Sequence, residues 1–193
     1  MAQVINTNVG ALFAGAALNK SAIGLQTAQE RLSSGLRINS AKDDATGLAT
    51  ATTFDSKIRG ANMNIRKAND GISAAQINDG YLAQVTENTQ RLREIYVQTG
   101  AVSNTEAVEL IAENTRISGL VTASTAVVVD EAGGTAGGTG TTFTSALAYA
   151  NLAAFDTELS AITANRAEFG ADMATLGSAV ASLQTASVNY SAS

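Results

Sequence analysis

The 193-residue chain contains no cysteine, histidine, proline or tryptophan. Without cysteine there is no disulfide framework, no thiol nucleophile and no thiolate metal site. Without histidine the chain lacks the usual general base near neutral pH, the commonest metal ligand and the central residue of most catalytic triads. These absences argue against an enzyme, and the sequence predicts no catalytic residue, no metal and no cofactor.

The lack of proline leaves only Gly, Asn and Asp to interrupt a helix. Aromatic residues make up 5% of the chain, which is too few for a thick core. The composition therefore predicts a mainly α protein, an elongated antiparallel helical bundle or coiled coil whose helices pack through narrow apolar seams.

Charge and hydropathy exclude two classes of partner. The net charge of −5 and the pI of about 4.7 argue against nucleic acid, because neutralising phosphates needs clustered Lys and Arg. No run of 18 uncharged, strongly apolar residues predicts a membrane span, and residues 1–10 lack the basic start of a cleaved signal peptide. Residues 1–99 carry ten basic and eight acidic residues, whereas residues 100–193 carry two and nine, so the two parts could attract each other.

Apolar and small residues three or four positions apart predict a first helix from about Thr7 to Gly35. The stripe comprises Ala11, Ala14, Leu18, Ala22, Leu25, Ala28 and Leu32. Because alanine buries little area, we expect this helix to become ordered only against partners.

A second pattern predicts one helix from about Asp44 to Thr99, a rod of roughly 80 Å. Gly60, Gly71 and Gly80 either weaken it or mark close approach of another helix. Gly100 is expected to end it. Ser103 and Glu106 fit a capping box for a shorter third helix.

The composition then changes to Gly and Thr, and Val127 to Val129 followed by this run predicts a short β-hairpin or loop. From Ser145 onward the helical spacing is the most regular in the chain, which is typical of a coiled-coil seam. Its positions are Leu152, Phe155, Leu159, Ile162, Arg166, Phe169, Met173, Leu176, Val180, Leu183, Ser187 and Tyr190. Arg166 either pairs with a carboxylate of another helix or marks a solvent-facing stretch of the seam.

The sequence contains no active-site constellation. The glycines between Gly133 and Gly140 lack the following Lys-Ser/Thr of a phosphate loop, so a surface turn is the better interpretation. Asp43-Asp44 is interpreted as the acidic start of a helix, and the three glutamates at 106, 109 and 113 as a solvated face. Arg91, Arg93 and Glu94 form either a binding patch or another solvated face.

Four ordered blocks carry a family resemblance. They are MAQVINTNVGAL, ERLSSGLRINSAKDDATGLA, ANDGISAAQINDGYL and QRLREIYVQ, all within the first 98 residues. Together they resemble the N-terminal region of bacterial flagellin.

The resemblance implies a structural subunit of the bacterial flagellar filament, located outside the cell, which self-associates through helical packing for motility and reaches the tip through the flagellar export apparatus. By analogy with the family, residues 1–44 would be the inner-tube segment, residues 45–122 with 146–193 the outer-tube bundle, and residues 123–145 a short variable loop. The rival hypothesis is a cell-surface or secreted flagellin-like binding protein that does not polymerise alone.

Two further expectations come from the resemblance. Flagellins usually continue beyond the position of Ser193 through a terminal helix that pairs with the first segment and docks the export chaperone, so the sequence does not support chaperone binding. The QRLREIYVQ block resembles the patch sensed by the flagellin-recognising Toll-like receptor. Arg91, Ile95 and Glu113 are therefore the candidate residues for receptor or subunit contact.

Overall fold

The computed structural model describes residues 8–129, 134–145, 149 and 151–192. These residues form four helices, α1 (Val9–Ser34), α2 (Ala45–Thr99), α3 (Thr105–Ser118) and α4 (Leu152–Ala192). Two short strands, β1 (Val127–Val128) and β2 (Thr135–Ala136), pair antiparallel with Val127 opposite Ala136. The mainly α fold with a small hairpin confirms the fold class predicted from the sequence.

The chain divides into two compact units, Met1–Phe54 and Asp55–Ser193. In the first unit, Asn8 is the N-cap of α1, because its side chain accepts a hydrogen bond from the Ala11 amide. It ends at Gly35, which adopts a left-handed conformation (φ 69°) and donates to the Arg31 carbonyl. None of residues 8–54 is buried, so this unit has no core of its own among its described residues.

The two adjacent aspartates between α1 and α2 have different tasks. Asp44 caps α2, because its Oδ1 accepts from the Gly47 amide at 2.9 Å. Asp43 accepts from the amides of Asn39 and Ser40, which organises the preceding turn, and these bonds lower its pKa. The acidic start of the helix is therefore present as predicted, in the form of one capping and one turn-forming carboxylate.

In the second unit, α2 and α4 run antiparallel, because residues of increasing number on α2 contact residues of decreasing number on α4. Lys57 lies over the Tyr190 ring, Gly71 faces Leu176, Asp79 pairs with Arg166, and Arg93 pairs with Asp156. Of the three α2 glycines considered above as sites of close approach, Gly71 is one, whereas a Cβ added to Gly60 or Gly80 would meet nothing within 4 Å.

Along the α4 seam, buried positions alternate with half-buried ones. Phe155, Ile162, Phe169, Leu176 and Leu183 are its buried positions, and Leu152 is the one predicted seam residue left exposed. One core cluster joins α2, α3, α4 and the loop residues Val121 and Phe143. A second cluster, built on Leu92, Ile95, Ala107, Tyr149 and Phe155, closes the end of the bundle near Gly100, which ends α2 as predicted.

The start of α3 differs from the prediction by one residue. Asn104, not Ser103, is the N-cap, and its Oδ1 accepts from the Ala107 amide at 2.8 Å. Glu106 is consequently not part of a capping box. Its carboxylate instead accepts a hydrogen bond from Arg91 on α2 at 2.7 Å, because a charged donor across the interface is the stronger partner.

Candidate functional site

Arg91 is a half-exposed residue of α2 that links two carboxylates. Its Nε donates to Glu106 on α3 at 2.7 Å, and its Nη1 donates to Glu94 at 3.1 Å. The hydrogen bond to Glu106 is the main cause that raises the pKa of Arg91 and, reciprocally, lowers the pKa of Glu106. The guanidinium is therefore held in place across the α2–α3 interface, with half of its surface open to a partner.

Ile95 lies one turn further along α2 and is only 3% exposed. It packs in the second core cluster with Leu92 and Ala107. A partner cannot reach its side chain in this conformation. Ile95 instead supports the helix surface that carries Arg91, and its role in contact stays a prediction.

Glu113 lies on α3, seven residues after Glu106 and so on the same face of that helix. Its two oxygens accept from Arg116 at 2.8 and 2.6 Å, and this bidentate bond lowers the pKa of Glu113. Arg91 and Glu113 thus belong to two separate ion pairs displayed along α3. The three glutamates predicted as a solvated face are indeed exposed or half-exposed.

Arg93 and Glu94 lie beside a shallow groove between α2 and α4. The groove is lined by Gln90, Arg93, Glu94, Val97, Gln98, Asp156 and Leu159. Arg93 spans it to Asp156 at 3.3 Å. Since both side chains are largely exposed, this arrangement is an ion-paired surface and offers no enclosed pocket for a small substrate.

The glycine-rich loop is not free to hold a phosphate. Gly137 and Gly138 have positive φ angles of 73° and 83°, and the amides that follow, of Thr139 and Gly140, donate to the carboxylate of Asp172 on α4. Burial raises the pKa of Asp172, but the hydrogen bonds from Ser124, Thr139 and Gly140 together lower it by more. The pKa of Asp172 therefore lies below its usual range. The loop is bound to its own helix by an internal carboxylate, which sequence analysis did not identify.

A buried polar cluster between α2 and α3 was not predicted from the sequence. Asn88 donates to Asn114 Oδ1 at 2.9 Å, and Asn114 donates to Thr89 at 3.2 Å. Nearby, the Asn78 side chain makes hydrogen bonds to both backbone groups of Thr122. A signal was present in the sequence, since Asn78 lies three positions after Ala75 and Thr89 four positions after Val85, which places both on the apolar stripe of α2.

Within the described part of the chain, no three Asp or Glu side chains cluster closely enough to hold a metal ion. Its helices likewise include none that is long and apolar enough to cross a membrane.

The chain was compared with known proteins. The family model described as the bacterial flagellin N-terminal helical region matches residues 5–130. The chain is 53% identical over 107 residues to flagellin of Salmonella rubislaw and to phase 2 flagellin of Salmonella typhimurium (strain LT2), and 51% identical over the same length to flagellin of Escherichia coli (strain K12).

These matches cover 55% of this chain and only 21 to 22% of each relative. The chain thus spans about a fifth of the length of the curated relatives that it matches. The family model, in contrast, covers well over half of the chain, and it includes α1, α2 and α3. The chain therefore belongs to the bacterial flagellin family.

Proposed function

We propose that this chain is a structural subunit of the bacterial flagellar filament. Under this proposal it works outside the cell, passes through the flagellar export apparatus and has no catalytic role. Membership of the flagellin family supports the proposal, as do relatives that carry the name flagellin over the matched region.

The observation that carries the proposal is the exposure of α1. Leu18, Leu25 and Leu32 on one face are 71%, 62% and 86% exposed. Val9, Phe13 and Ile23 on the opposite face are exposed too. A helix that is apolar on two faces is typical of a buried position, and covering one leucine contributes roughly 1.5–3 kcal/mol. Assembly into a filament would supply that cover, with residues 1–44 innermost, the bundle of residues 45–122 and 146–193 around them, and residues 123–145 outermost.

Seeded assembly tests this role. The protein would be mixed with short fragments of flagellin filament, and elongation would be followed by electron microscopy and by pelleting of the subunit. Leu18→Asp combined with Leu25→Asp should abolish incorporation, because two charges would be buried in an apolar contact. The variant should keep the unfolding midpoint of the isolated chain, since both positions are exposed there.

Asn19→Asp is the matched control, because it adds the same kind of charge at an exposed polar position of the same helix. It should incorporate much as the unaltered chain does. If the unaltered chain neither elongates seeds nor assembles alone, the polymerising role is contradicted. Normal incorporation of the double variant would show that α1 is not the contact.

We further propose that the α2–α3 surface bearing Arg91 and Glu113 is a contact surface, either for the flagellin-recognising Toll-like receptor or for neighbouring subunits. The half-exposed guanidinium of Arg91, held by Glu94 and Glu106, favours this surface because little side-chain freedom is left to lose on binding. Arg91→Ala should reduce receptor activation by the monomer about tenfold or more, as expected for an Arg anchor in an interface. Unchanged activation would exclude the receptor contact, and a subunit contact would then be tested in the seeded assay.

A further inference from the structure

We propose that Asp172 is the latch of a detachable strap, which can lift from α4 while α2 and α4 stay paired. The strap comprises residues 121–129 and 134–145. The Asp172 side chain is 1% exposed. Among the described residues, the donors to its carboxylate belong to the strap: the hydroxyls of Ser124 and Thr139, the Thr139 amide at 3.0 Å and the Gly140 amide at 2.9 Å.

The strap backbone is shaped around this negative charge. Two successive left-handed glycines, Gly137 and Gly138, turn the chain so that the next two amides point to one carboxylate. Backbone concavities of this kind are anion sites, and here the anion is supplied by α4. The Ser124 amide also donates to the Gly140 carbonyl at 2.8 Å, which ties the two arms of the strap together directly at the carboxylate.

The other described hydrogen bonds between the strap and the helices are spread over several partners, Glu168 and Asn165 on α4 and Asn78 on α2. Thr141 donates to Glu168, one turn before Asp172 on α4, in an exposed bond of 3.2 Å. At the start of the strap, Asn78 of α2 bonds to Thr122. Regular structure within the strap is limited to the two-residue strands β1 and β2. In the part of the chain that the structure describes, Asp172 is therefore the fully buried charged group on which several strap bonds converge.

Lifting the strap would leave the helical seam in place. Of the buried side chains in the first core cluster, the strap supplies Val121 and Phe143, and the three helices α2, α3 and α4 supply the others. Gly140 packs directly on Phe169, so opening would uncover that ring without separating α2 from α4. Segments with few buried apolar side chains open at a lower free energy than a whole domain.

Hydrogen exchange resolved to single amides tests this opening in the unaltered protein. The amides of Thr139 and Gly140 should exchange through a local event, at least about tenfold faster than the buried α2 amides of Leu82 and Val85. Exchange of all four at one common rate, set by global unfolding, would overturn the proposal.

Asp172→Asn tests the latch itself. The two side chains have the same shape, but an NH2 group in place of Oδ2 faces the Gly140 amide, and an NH2 group in place of Oδ1 leaves the Thr139 amide only its longer bond to the other oxygen. Protection of the Thr139 and Gly140 amides should fall at least about tenfold, because hydrogen bonds to charged acceptors are the stronger class. Protection of Leu82 and Val85 should change much less.

Asp156→Asn is the matched control, since it makes the same substitution at an exposed carboxylate of the same helix. It should leave the strap amides unchanged. If Asp172→Asn does not fold, Ser124→Ala removes a single donor and should still release Thr139 and Gly140 selectively. Retained protection of the strap amides in a folded Asp172→Asn or Ser124→Ala variant would overturn the assignment.

Discussion

The helices α1 and α4 carry the same kind of sequence pattern and have opposite environments. In both, apolar residues recur every three or four positions. On α4 the recurring Phe155, Ile162 and Phe169 are at most 1% exposed, because α2, α3 and the strap cover them. On α1 the recurring leucines are more than 60% exposed. Periodicity therefore identifies the face that is to be covered, and the presence of a covering partner decides whether it contributes to the stability of the single chain.

The largest expected effect contrasts one aromatic residue of α4 with one leucine of α1. Phe169→Ala should lower the free energy of unfolding by about 3–5 kcal/mol, because it removes a fully buried ring and leaves a cavity beneath Gly140. Leu25→Ala should change it by no more than about 0.5 kcal/mol, since its side chain is 62% exposed. Urea unfolding followed by circular dichroism measures both.

The opposite results would contradict the contrast between an uncovered α1 and a covered α4. A large loss for Leu25→Ala in dilute monomer would mean that α1 is covered within the single chain. A small loss for Phe169→Ala would mean that the α4 seam is loosely packed. Sedimentation of both variants at the working concentration would check that self-association does not contribute.

The sequence predicted the helical seams well because spacing and side-chain volume are local properties. The ends of α1 and α2 agree with the predicted limits to within two residues, and Gly35 and Gly100, both left-handed in the structure, lie at the predicted C-terminal ends. For Arg166 the sequence left open a carboxylate partner or a solvent-facing stretch of the seam, and in the structure Arg166 pairs with Asp79 at 2.7 Å. Its partner could not be chosen from the sequence, because the register between two antiparallel helices is a tertiary property.

The candidate contact residues were only partly predictable for the same reason. A surface position for Arg91 and Glu113 follows from their charge, but burial of Ile95 depends on where α3 folds back onto α2. The Asp172 latch was not foreseen because its donors lie 32 to 48 residues earlier in the chain. Long-range polar contacts of this kind leave no periodic signature.

The next effect concerns the polar cluster that interrupts the apolar seam of α2. Asn114→Ala should lower the free energy of unfolding by about 1–3 kcal/mol, because it leaves the buried amide of Asn88 without its acceptor and removes a donor to Thr89. Glu109→Ala, an exposed substitution on the same helix, should stay within about 0.5 kcal/mol. Equal and small losses for both would show that the cluster is replaceable by packing.

The smallest effect concerns the half-exposed ion pair that joins α2 to α4. Both Asp79 and Arg166 keep about a third or more of their side-chain surface in water, so solvent screens their attraction. Asp79→Ala should therefore lower the free energy of unfolding by only about 1 kcal/mol or less, far below the loss expected for Phe169→Ala on the same seam.

Exchanging the two charges separates register from stability. Asp79→Arg alone places two guanidiniums together and should cost more than Asp79→Ala, whereas adding Arg166→Asp should recover most of that loss. In urea unfolding, a coupling free energy near zero across this double-mutant cycle would mean that the pair forms without stabilising the fold. Among the described contacts of α1 there is no comparable ion pair with another helix. Recovery by the swapped pair would therefore show that a fixed register is a second feature that distinguishes the α4 seam from the apolar stripe of α1.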